Sequence, residues 1–259
     1  MRLLFTVQYL GTRYGGWQAQ VNALSVQQVL EESLAKIFGG PVRVHGAGRT
    51  DAGVHARAQR AHADVPFAIP PRGLVLGLNQ HLPSDVRITE VEEVAEEFHA
   101  RFDATGKTYQ YRIWNAVVAD VFAAETHAHV VPPLDEAAMS NAAQPILGTH
   151  DFRAFTVIDP EVGSTLRTIE AISVVREGET LTITVSGDGF LRYMVRRIAG
   201  SLIEVGRGRL DPEALRRSLD PSFEAARWTA AAKGLVLLEV RYGSPARPTA
   251  ASANIRALK

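Results

Sequence analysis

The order of the predicted secondary-structure elements constrains the fold of this chain more than any other feature. Some segments alternate apolar and polar residues, as strands do, and others place apolar residues three and four apart, as helices do. In the first hundred or so residues these segments follow the order β-α-β-β-α-β, and the second half repeats the order without repeating the residues. This order is that of the ferredoxin-like unit.

The predicted strands of the first half span 3–9, 42–46, 58–65 and 86–94, and the helices span 26–38 and 71–81. In the second half we predict strands over 107–114, 166–176, 180–187 and 235–242, helices over 135–147 and 190–205, and added helices over 211–219 and 223–232. Hairpin-like spacing argues against a doubly wound parallel sheet. The sequence therefore predicts an α+β protein of two ferredoxin-like units, with largely antiparallel sheets joined into one central sheet and the helices packed on one side.

The predicted domains are 1–103, which carries the glycine-rich loop described below, and 104–243, followed by a mobile tail over 244–259. The tail is rich in Pro, Ala and Ser and has three basic residues and no acidic one. Chain termini of this composition are commonly poorly ordered.

Composition excludes several classes of function. The 259 residues include no Cys, which excludes a disulfide scaffold, a thiolate zinc site, an iron–sulfur cluster and a cysteine nucleophile. A charged fraction of 22% beside an apolar fraction of 46% excludes global disorder. We find no membrane span and no signal peptide, and we expect a cytoplasmic protein.

The formal net charge is zero, which by itself argues against a nucleic-acid partner. The charges are nevertheless unevenly distributed. Residues 43–60 carry four Arg and one Asp, residues 186–217 carry seven Arg and four acidic residues, and residues 88–99 carry five Glu and no basic residue. Such a chain can present a basic groove and an acidic back, although an ordinary mixed surface is the alternative.

The most unusual local sequence is the run Gly46-Ala47-Gly48-Arg49-Thr50-Asp51-Ala52-Gly53-Val54-His55-Ala56. Its glycines indicate a backbone that turns sharply and approaches another group closely. A loop of this kind would hold the carboxylate of Asp51 at a cleft with a guanidinium nearby, which keeps a nucleophilic carboxylate ionised. The alternative is a tight turn capped by Asp51, with Arg49 on the surface.

This run resembles the signature of the tRNA pseudouridine synthase A family, and further motifs match in the same order over about residues 3–242. They are Gly15-Gly16-Trp17-Gln18-Ala19-Gln20, Ser25-Val26-Gln27, Asn79-Gln80-His81-Leu82-Pro83, Phe98-His99-Ala100-Arg101-Phe102, Lys107-Thr108-Tyr109-Gln110-Tyr111-Arg112-Ile113, Phe190-Leu191-Arg192-Tyr193-Met194-Val195-Arg196, Gly200-Ser201-Leu202-Ile203-Glu204-Val205-Gly206 and Lys233-Gly234-Leu235.

The resemblance implies an enzyme that isomerises uridine to pseudouridine at positions 38 to 40 of the tRNA anticodon stem-loop, works as a homodimer and needs no cofactor and no metal. It implies that Asp51 is the nucleophile, that Tyr109 stacks on the target uracil and assists proton removal, and that Arg196 pairs with Asp51. It further implies that Leu235 lines the uracil pocket. We expect Arg49, two residues before Asp51, to hold the RNA backbone apart or to prop the target site open.

Each of these residues also has a plainer interpretation. Tyr109 and Leu235 fit an ordinary core, and Arg192 and Arg196, four apart on the predicted helix, fit a solvated basic face. From charge and placement we add Arg13, Arg57, Arg192 and Arg197 as candidate contacts to the RNA backbone.

The sequence departs from the family pattern at several positions near the predicted RNA path. Leu10 stands where the family usually has Asp, and Arg197 replaces a common Asn. Asp188-Gly189 and Arg192-Tyr193 replace residues that are often Asn-Ala and His-His.

Two other classes of function are kept as alternatives. One is a non-catalytic RNA-binding or tRNA-folding module on the same fold, which would not need Asp51 at a pocket. The other is an aspartyl-type hydrolase or phosphotransferase, for which the sequence shows neither a metal site nor a phosphate cradle.

Overall fold

The computed structural model describes residues 1–157, 163–220, 222 and 228–243. Over these residues it has a mixed α+β fold with ten strands and five α-helices, which confirms the predicted α+β class. The strands are β1 Arg2–Tyr9, β2 Val44–Gly46, β3 His55–Asp64, β4 Val86–Val94, β5 Ala104–Trp114, β6 Ala128–His129, β7 Gly148–Asp151, β8 Leu166–Glu177, β9 Thr180–Gly187 and β10 Leu235–Tyr242. The α-helices are α1 Val26–Phe38, α2 Pro71–His81, α3 Glu136–Ala143, α4 Met194–Gly206 and α5 Pro212–Arg217.

The chain divides into two compact units. Among the described residues, the first comprises Met1–Ala52, Ala56–Thr105 and 240–243, and the second comprises Gly53–His55 and residues between Gly106 and Glu239. The predicted domain limits at 103 and 243 stay a prediction. The predicted tail lies outside the described residues.

In the first unit the strands run in the order β4-β1-β3, with β2 paired to β3. All these pairings are antiparallel. Together with the chain order β1-α1-β2-β3-α2-β4, this is the arrangement of a ferredoxin-like unit. Both helices cover the core of this sheet. Buried side chains of one strand and both helices line the same interior space: Phe5 of β1, Leu30 and Leu34 of α1, and Leu78 of α2.

The second unit has the strand order β10-β5-β9-β8, followed by β7 at the edge, and β6 pairs with β5 in parallel. Its core includes Ile183 and Val185 of β9 and Ile198 and Leu202 of α4. Without β6 and β7, the order of its elements is again that of a ferredoxin-like unit. Both predicted units are therefore confirmed.

The limits of the elements differ from the prediction mainly around α4. We predicted a helix from 190, but α4 begins at Met194, because Tyr193 has a φ of 65° in the left-handed region. Arg192 thus precedes the helix, and the predicted helical face shared by Arg192 and Arg196 is wrong. Two short strands, β6 and β7, were not predicted, since each is too short to show a periodicity.

The helix predicted over 223–232 lies partly outside the described residues. Of the residues that the structure does describe there, 228–231 are not helical and Ala232 begins a short 3₁₀ turn, Ala232–Gly234, so the predicted helix is wrong over this part. The added helix predicted over 211–219 is present as α5, shorter at both ends.

A cluster of three histidine rings lies in the first unit. His62 of β3 is 2% exposed, and its ring stacks on His45 at 5.0 Å and meets the edge of His99 at 4.7 Å. The Nδ1 atom of His62 accepts a hydrogen bond from the backbone N–H of Ala100. Burial, reinforced by the charges of His99 and Arg2, lowers the pKa of His62 to about 4.

The folded protein should therefore lose stability as the solution becomes acidic. The pKa of His62 in the folded protein lies below the ordinary value of 6.5. Between about pH 4 and pH 6.5 the unfolded chain therefore binds more protons than the folded protein does. We expect the free energy of unfolding to fall by on the order of 1 kcal/mol between pH 7.5 and 5.5, measured by denaturant titration.

The variant His62→Asn keeps an acceptor for the Ala100 N–H and cannot be protonated, so its pH dependence should be flatter. The exposed His81 supplies the control, since His81→Asn should keep the wild-type pH dependence. Equal slopes for wild type and His62→Asn would contradict the assignment.

Candidate active site

The loop that carries Asp51 is fixed in the first unit through its neighbour Thr50. The backbone N–H of Trp17 donates to the Thr50 carbonyl at 3.1 Å, and the hydroxyls of Thr50 and Tyr9 are 2.9 Å apart. Burial raises the pKa of the Tyr9 phenol, so this hydroxyl remains neutral and able to donate. Thr50 itself is buried, whereas Asp51 is half-buried and Ala52 is exposed. The backbone is therefore rigidly held one residue before a carboxylate that solvent can reach.

Two glycines, Gly16 and Gly46, permit the close packing around Trp17 and the Asp51 loop. Gly16 has a φ of 103°, and a Cβ atom there would lie 2.5 Å from the carbonyl oxygen of Thr50. A Cβ atom at Gly46 would overlap the indole ring of Trp17. Residues with side chains at these two positions would push the loop away from Trp17.

Helix α1 holds Trp17 in place. The N–H groups of Val26 and Gln27, which open the helix, donate to the carbonyls of Gly16 and Trp17 at 3.2 and 3.0 Å. The side chain of Gln27 accepts from the N–H of Ala19 and donates to the carbonyl of Val44. The N-terminal motifs of the sequence therefore form the support beneath the Asp51 loop.

Three of the predicted RNA-binding arginines lie in the first unit, and they differ in their partners. The side chains of Arg49 and Arg57 are exposed and make no hydrogen bond or ion pair with any residue that the structure describes. Arg13 forms an ion pair with Asp85 at 2.7 Å, and the hydroxyl of Tyr14 donates to the same carboxylate. Although burial opposes it, these hydrogen bonds lower the pKa of Asp85, so the pair is ionised at neutral pH.

Tyr109 lies on β5 in the second unit, opposite Val185 of β9. Its side chain is 8% exposed, and its ring meets that of Phe190 edge to face at 5.2 Å. Tyr111, two residues along, is fully buried, and its hydroxyl donates to the carbonyl of Ala231 at 2.9 Å. Tyr111 therefore belongs to the core.

Arg196 lies in the first turn of α4 in the second unit. Its Nε donates to the carbonyl of Ala230 at 2.9 Å, and its backbone carbonyl accepts from the Ala230 N–H at 3.0 Å. Its guanidinium carbon also lies 5.3 Å from the centre of the Tyr193 ring. These contacts fix the direction of the Arg196 side chain.

The other two arginines of this segment have different surroundings. Arg192 is exposed, and its guanidinium lies 4.9 Å from the centre of the Tyr193 ring. Arg197 is half-buried and donates to the carbonyls of Ala154 and Thr156 at 3.1 and 2.6 Å. Burial lowers the pKa of Arg197 from its ordinary value. Arg197 thus connects α4 to the 3₁₀ turn Arg153–Phe155 of the same unit.

Leu235 begins β10 and is 6% exposed. The preceding residues are anchored within the second unit, because the Nε2 atom of His55 lies 3.0 Å from the carbonyl of Lys233. A Cβ atom at Gly234 would overlap the ring of Tyr111. Burial lowers the pKa of His55.

The predicted site residues are thus divided between the two units. Asp51 and Arg49 belong to the first, and Tyr109, Arg196 and Leu235 belong to the second. Within the second unit, the segment 190–196 brings Phe190 to Tyr109 and Tyr193 to Arg196. That Asp51, Tyr109 and Arg196 share one cleft stays a prediction.

Across the described ranges, no three His, Asp or Glu side chains are placed to hold a metal ion. In the same ranges no helix combines the length and the apolar character that crossing a bilayer requires.

Comparison with known proteins decides the family. A family model described as tRNA pseudouridine synthase matches residues 6–103 and 142–243. The chain belongs to the tRNA pseudouridine synthase family. This synthase is therefore an isomerase that acts on tRNA, and the resemblance seen in the sequence is confirmed.

Several curated relatives are similar over nearly their whole length. A tRNA pseudouridine synthase A of Pelobacter propionicus is 45% identical, with 92% of this chain and 98% of the relative covered. The protein of the same name from Myxococcus xanthus is 44% identical over 95% of this chain and 94% of the relative, and that from Brevibacillus brevis is 43% identical over 93% and 99%. A solved Cbf5-Nop10-Gar1 complex matches 78% of this chain and 45% of that chain, with 14% identity and a TM-score of 0.36.

The packing of Gly16 against Thr50 predicts a large effect for a single added methyl group. Gly16→Ala places a Cβ atom against a backbone carbonyl at a φ that alanine rarely adopts, and should reduce the free energy of unfolding by roughly 1–3 kcal/mol. Gly40→Ala is the matched control, because a Cβ atom there has no neighbour within 4 Å. Denaturant titration of both variants tests the packing, and similar stabilities for the two would contradict it.

Proposed function

We propose that this synthase converts uridine to pseudouridine at positions 38–40 of the tRNA anticodon stem-loop, with Asp51 as the nucleophile. The observation that carries the proposal is the half-buried carboxylate of Asp51 directly after the buried, doubly hydrogen-bonded Thr50. A nucleophile needs a fixed position and access to its substrate, and this loop provides both.

The reaction requires that a carbon–nitrogen bond is exchanged for a carbon–carbon bond. A carboxylate oxygen of Asp51 forms a bond either to the sugar C1′ or to the base C6. The N-glycosidic bond breaks with its electron pair on N1, the uracil turns within the pocket, and C5 bonds to C1′. The C5 proton leaves, N1 gains a proton, and the bond to Asp51 breaks, which regenerates the free carboxylate. Retaining the freed uracil depends on a closed pocket that excludes water.

The proposal gives Tyr109, Arg196 and Leu235 roles in the same reaction. The ring of Tyr109 stacks on the target uracil, and its hydroxyl assists removal of the C5 proton. Arg196 pairs with the carboxylate of Asp51. Leu235 supplies an apolar wall. The fixed directions of Tyr109 and Arg196, set by Phe190 and by Ala230, support these roles.

Replacing the proposed nucleophile should abolish the reaction and leave tRNA binding intact. Asp51→Asn keeps the shape of the side chain and removes its nucleophilicity, so we expect pseudouridine formation to fall by more than about a thousandfold. The measurement is tritium release from tRNA that carries 5-tritiated uridine, with affinity for unmodified tRNA measured in parallel.

The control is Asp220→Asn, an exposed aspartate that hydrogen-bonds Ser222 and should retain full activity. Wild-type rates in Asp51→Asn would exclude Asp51 as the nucleophile. A wild-type protein that binds tRNA and releases no tritium would favour a non-catalytic tRNA-folding module instead.

The target base must leave its stack before it can react, and contacts to phosphates compensate the cost. We propose Arg49, which also props the target site open, together with Arg57 and Arg192 as the principal backbone contacts, because all three are exposed. Arg13 and Arg197 belong to the same proposed set, although some N–H groups of their guanidinium groups already bind other residues of the protein.

Each phosphate contact should appear in the salt dependence of tRNA binding. Replacing Arg49, Arg57 or Arg192 singly by Gln should weaken binding and reduce the slope of log affinity against log salt by roughly one. Arg216→Gln serves as the control, since Arg216 on α5 is paired with Glu213. A slope unchanged in all three variants would remove these residues from the RNA path.

We further propose that the enzyme acts in the cytoplasm as a homodimer, without a cofactor or a metal ion. One tRNA that contacts both subunits would meet the basic segments of each, so that the modest local charge of one subunit is added to that of the other. This offers a reason why a chain with a net charge of zero can bind a polyanion.

A further inference from the structure

Tyr193 has the most unusual backbone of the second unit. Its φ of 65° makes it the one non-glycine residue with a positive φ among the residues that the structure describes. A bulky residue in the left-handed region is strained, and such strain is concentrated at functional sites.

The local fold gives no reason for a tyrosine at this position. Tyr193 is the N-cap residue of α4, but its side chain makes no capping hydrogen bond. Ser, Thr, Asp or Asn would cap the helix, and Gly or Asn would adopt the left-handed conformation with less strain. The reason for the aromatic ring must therefore lie in what the ring contacts.

The ring of Tyr193 is in contact with two guanidinium groups. The guanidinium carbons of Arg192 and Arg196 lie 4.9 and 5.3 Å from its centre, within the range of cation–π attraction. Arg192 also donates to the Tyr193 hydroxyl at 3.2 Å. One aromatic ring thus attracts two guanidinium groups that would otherwise repel each other. The left-handed backbone of Tyr193 places the ring where both guanidinium groups reach it.

We propose that Tyr193 is a positioning residue, whose ring fixes the guanidinium of Arg196 for catalysis and that of Arg192 for a phosphate of the tRNA. This inference rests on the proposed function, because it takes the roles of Arg196 and Arg192 from there.

The test removes the ring without adding backbone strain. Tyr193→Gly suits a positive φ and should be at least as stable as wild type. Without the ring, Arg196 keeps its hydrogen bond to the Ala230 carbonyl but loses the cation–π contact that restricts its guanidinium, so kcat for pseudouridine formation should fall about tenfold, and loss of Arg192 placement should raise KM about threefold. Tyr193→Phe keeps the ring and should restore kcat to within about threefold of wild type.

A second variant guards against a local change of the turn in Tyr193→Gly. Tyr193→Asn also tolerates a left-handed backbone and can cap α4, and it should show the same loss of kcat. The proposal is overturned if both ring-less variants keep kcat and KM within twofold of wild type. It is equally overturned if Tyr193→Phe loses as much activity as Tyr193→Gly.

A binding measurement separates this inference from the proposed function. In the Asp51→Asn background, adding Tyr193→Gly should reduce the salt slope of tRNA binding by up to about one, the contribution of one phosphate contact. If Asp51→Asn is fully active, the proposed nucleophile is wrong, whereas the comparison of the Tyr193 variants still measures the effect of the ring. An unchanged salt slope in the double variant would exclude the proposed placement of Arg192.

Discussion

The arrangement of the loop that carries Asp51 depends on one contact, the hydrogen bond from the Trp17 N–H to the Thr50 carbonyl. It forms only because Gly16 lacks a side chain, which would occupy the place of the Thr50 oxygen. Helix α1 in turn fixes Trp17 through its first N–H groups, so the position of Asp51 follows from the position of a helix some twenty-five residues earlier. A backbone-to-backbone contact of this kind adds little net stability, but it leaves the loop few alternatives.

Most of the fold could be predicted from the sequence, because the strands and helices that form the two units show clear periodicity and clear ends. Helix α2 and strands β4 and β10 occupy their predicted ranges. The prediction failed at the start of α4, since periodicity cannot reveal a left-handed residue that is neither Gly nor Asn. It also missed β6 and β7, whose pairing with distant strands is decided by tertiary contacts.

Less of the candidate site than of the fold could be predicted from the sequence. The glycine-rich run around Asp51 is visible in the sequence because sharp turns and close approach require glycine. The supporting roles of Tyr9, Trp17 and Gln27 are not visible, since each depends on contacts between residues far apart in the chain. Arg192 was assigned to a helix that it precedes, yet the structure still relates it to Arg196, through the ring of Tyr193 instead of a helical face.

The environment of Trp17 gives this protein a built-in optical probe. Trp17 is 2% exposed and its ring lies 6.1 Å from that of Tyr9, whereas Trp114 is half-buried and Trp228 is 39% exposed. An indole shielded from water emits at shorter wavelength than one in contact with solvent. The blue edge of the intrinsic fluorescence spectrum therefore reports the state of the loop beside Gly46, and stopped-flow mixing with substrate could follow that loop without an attached dye.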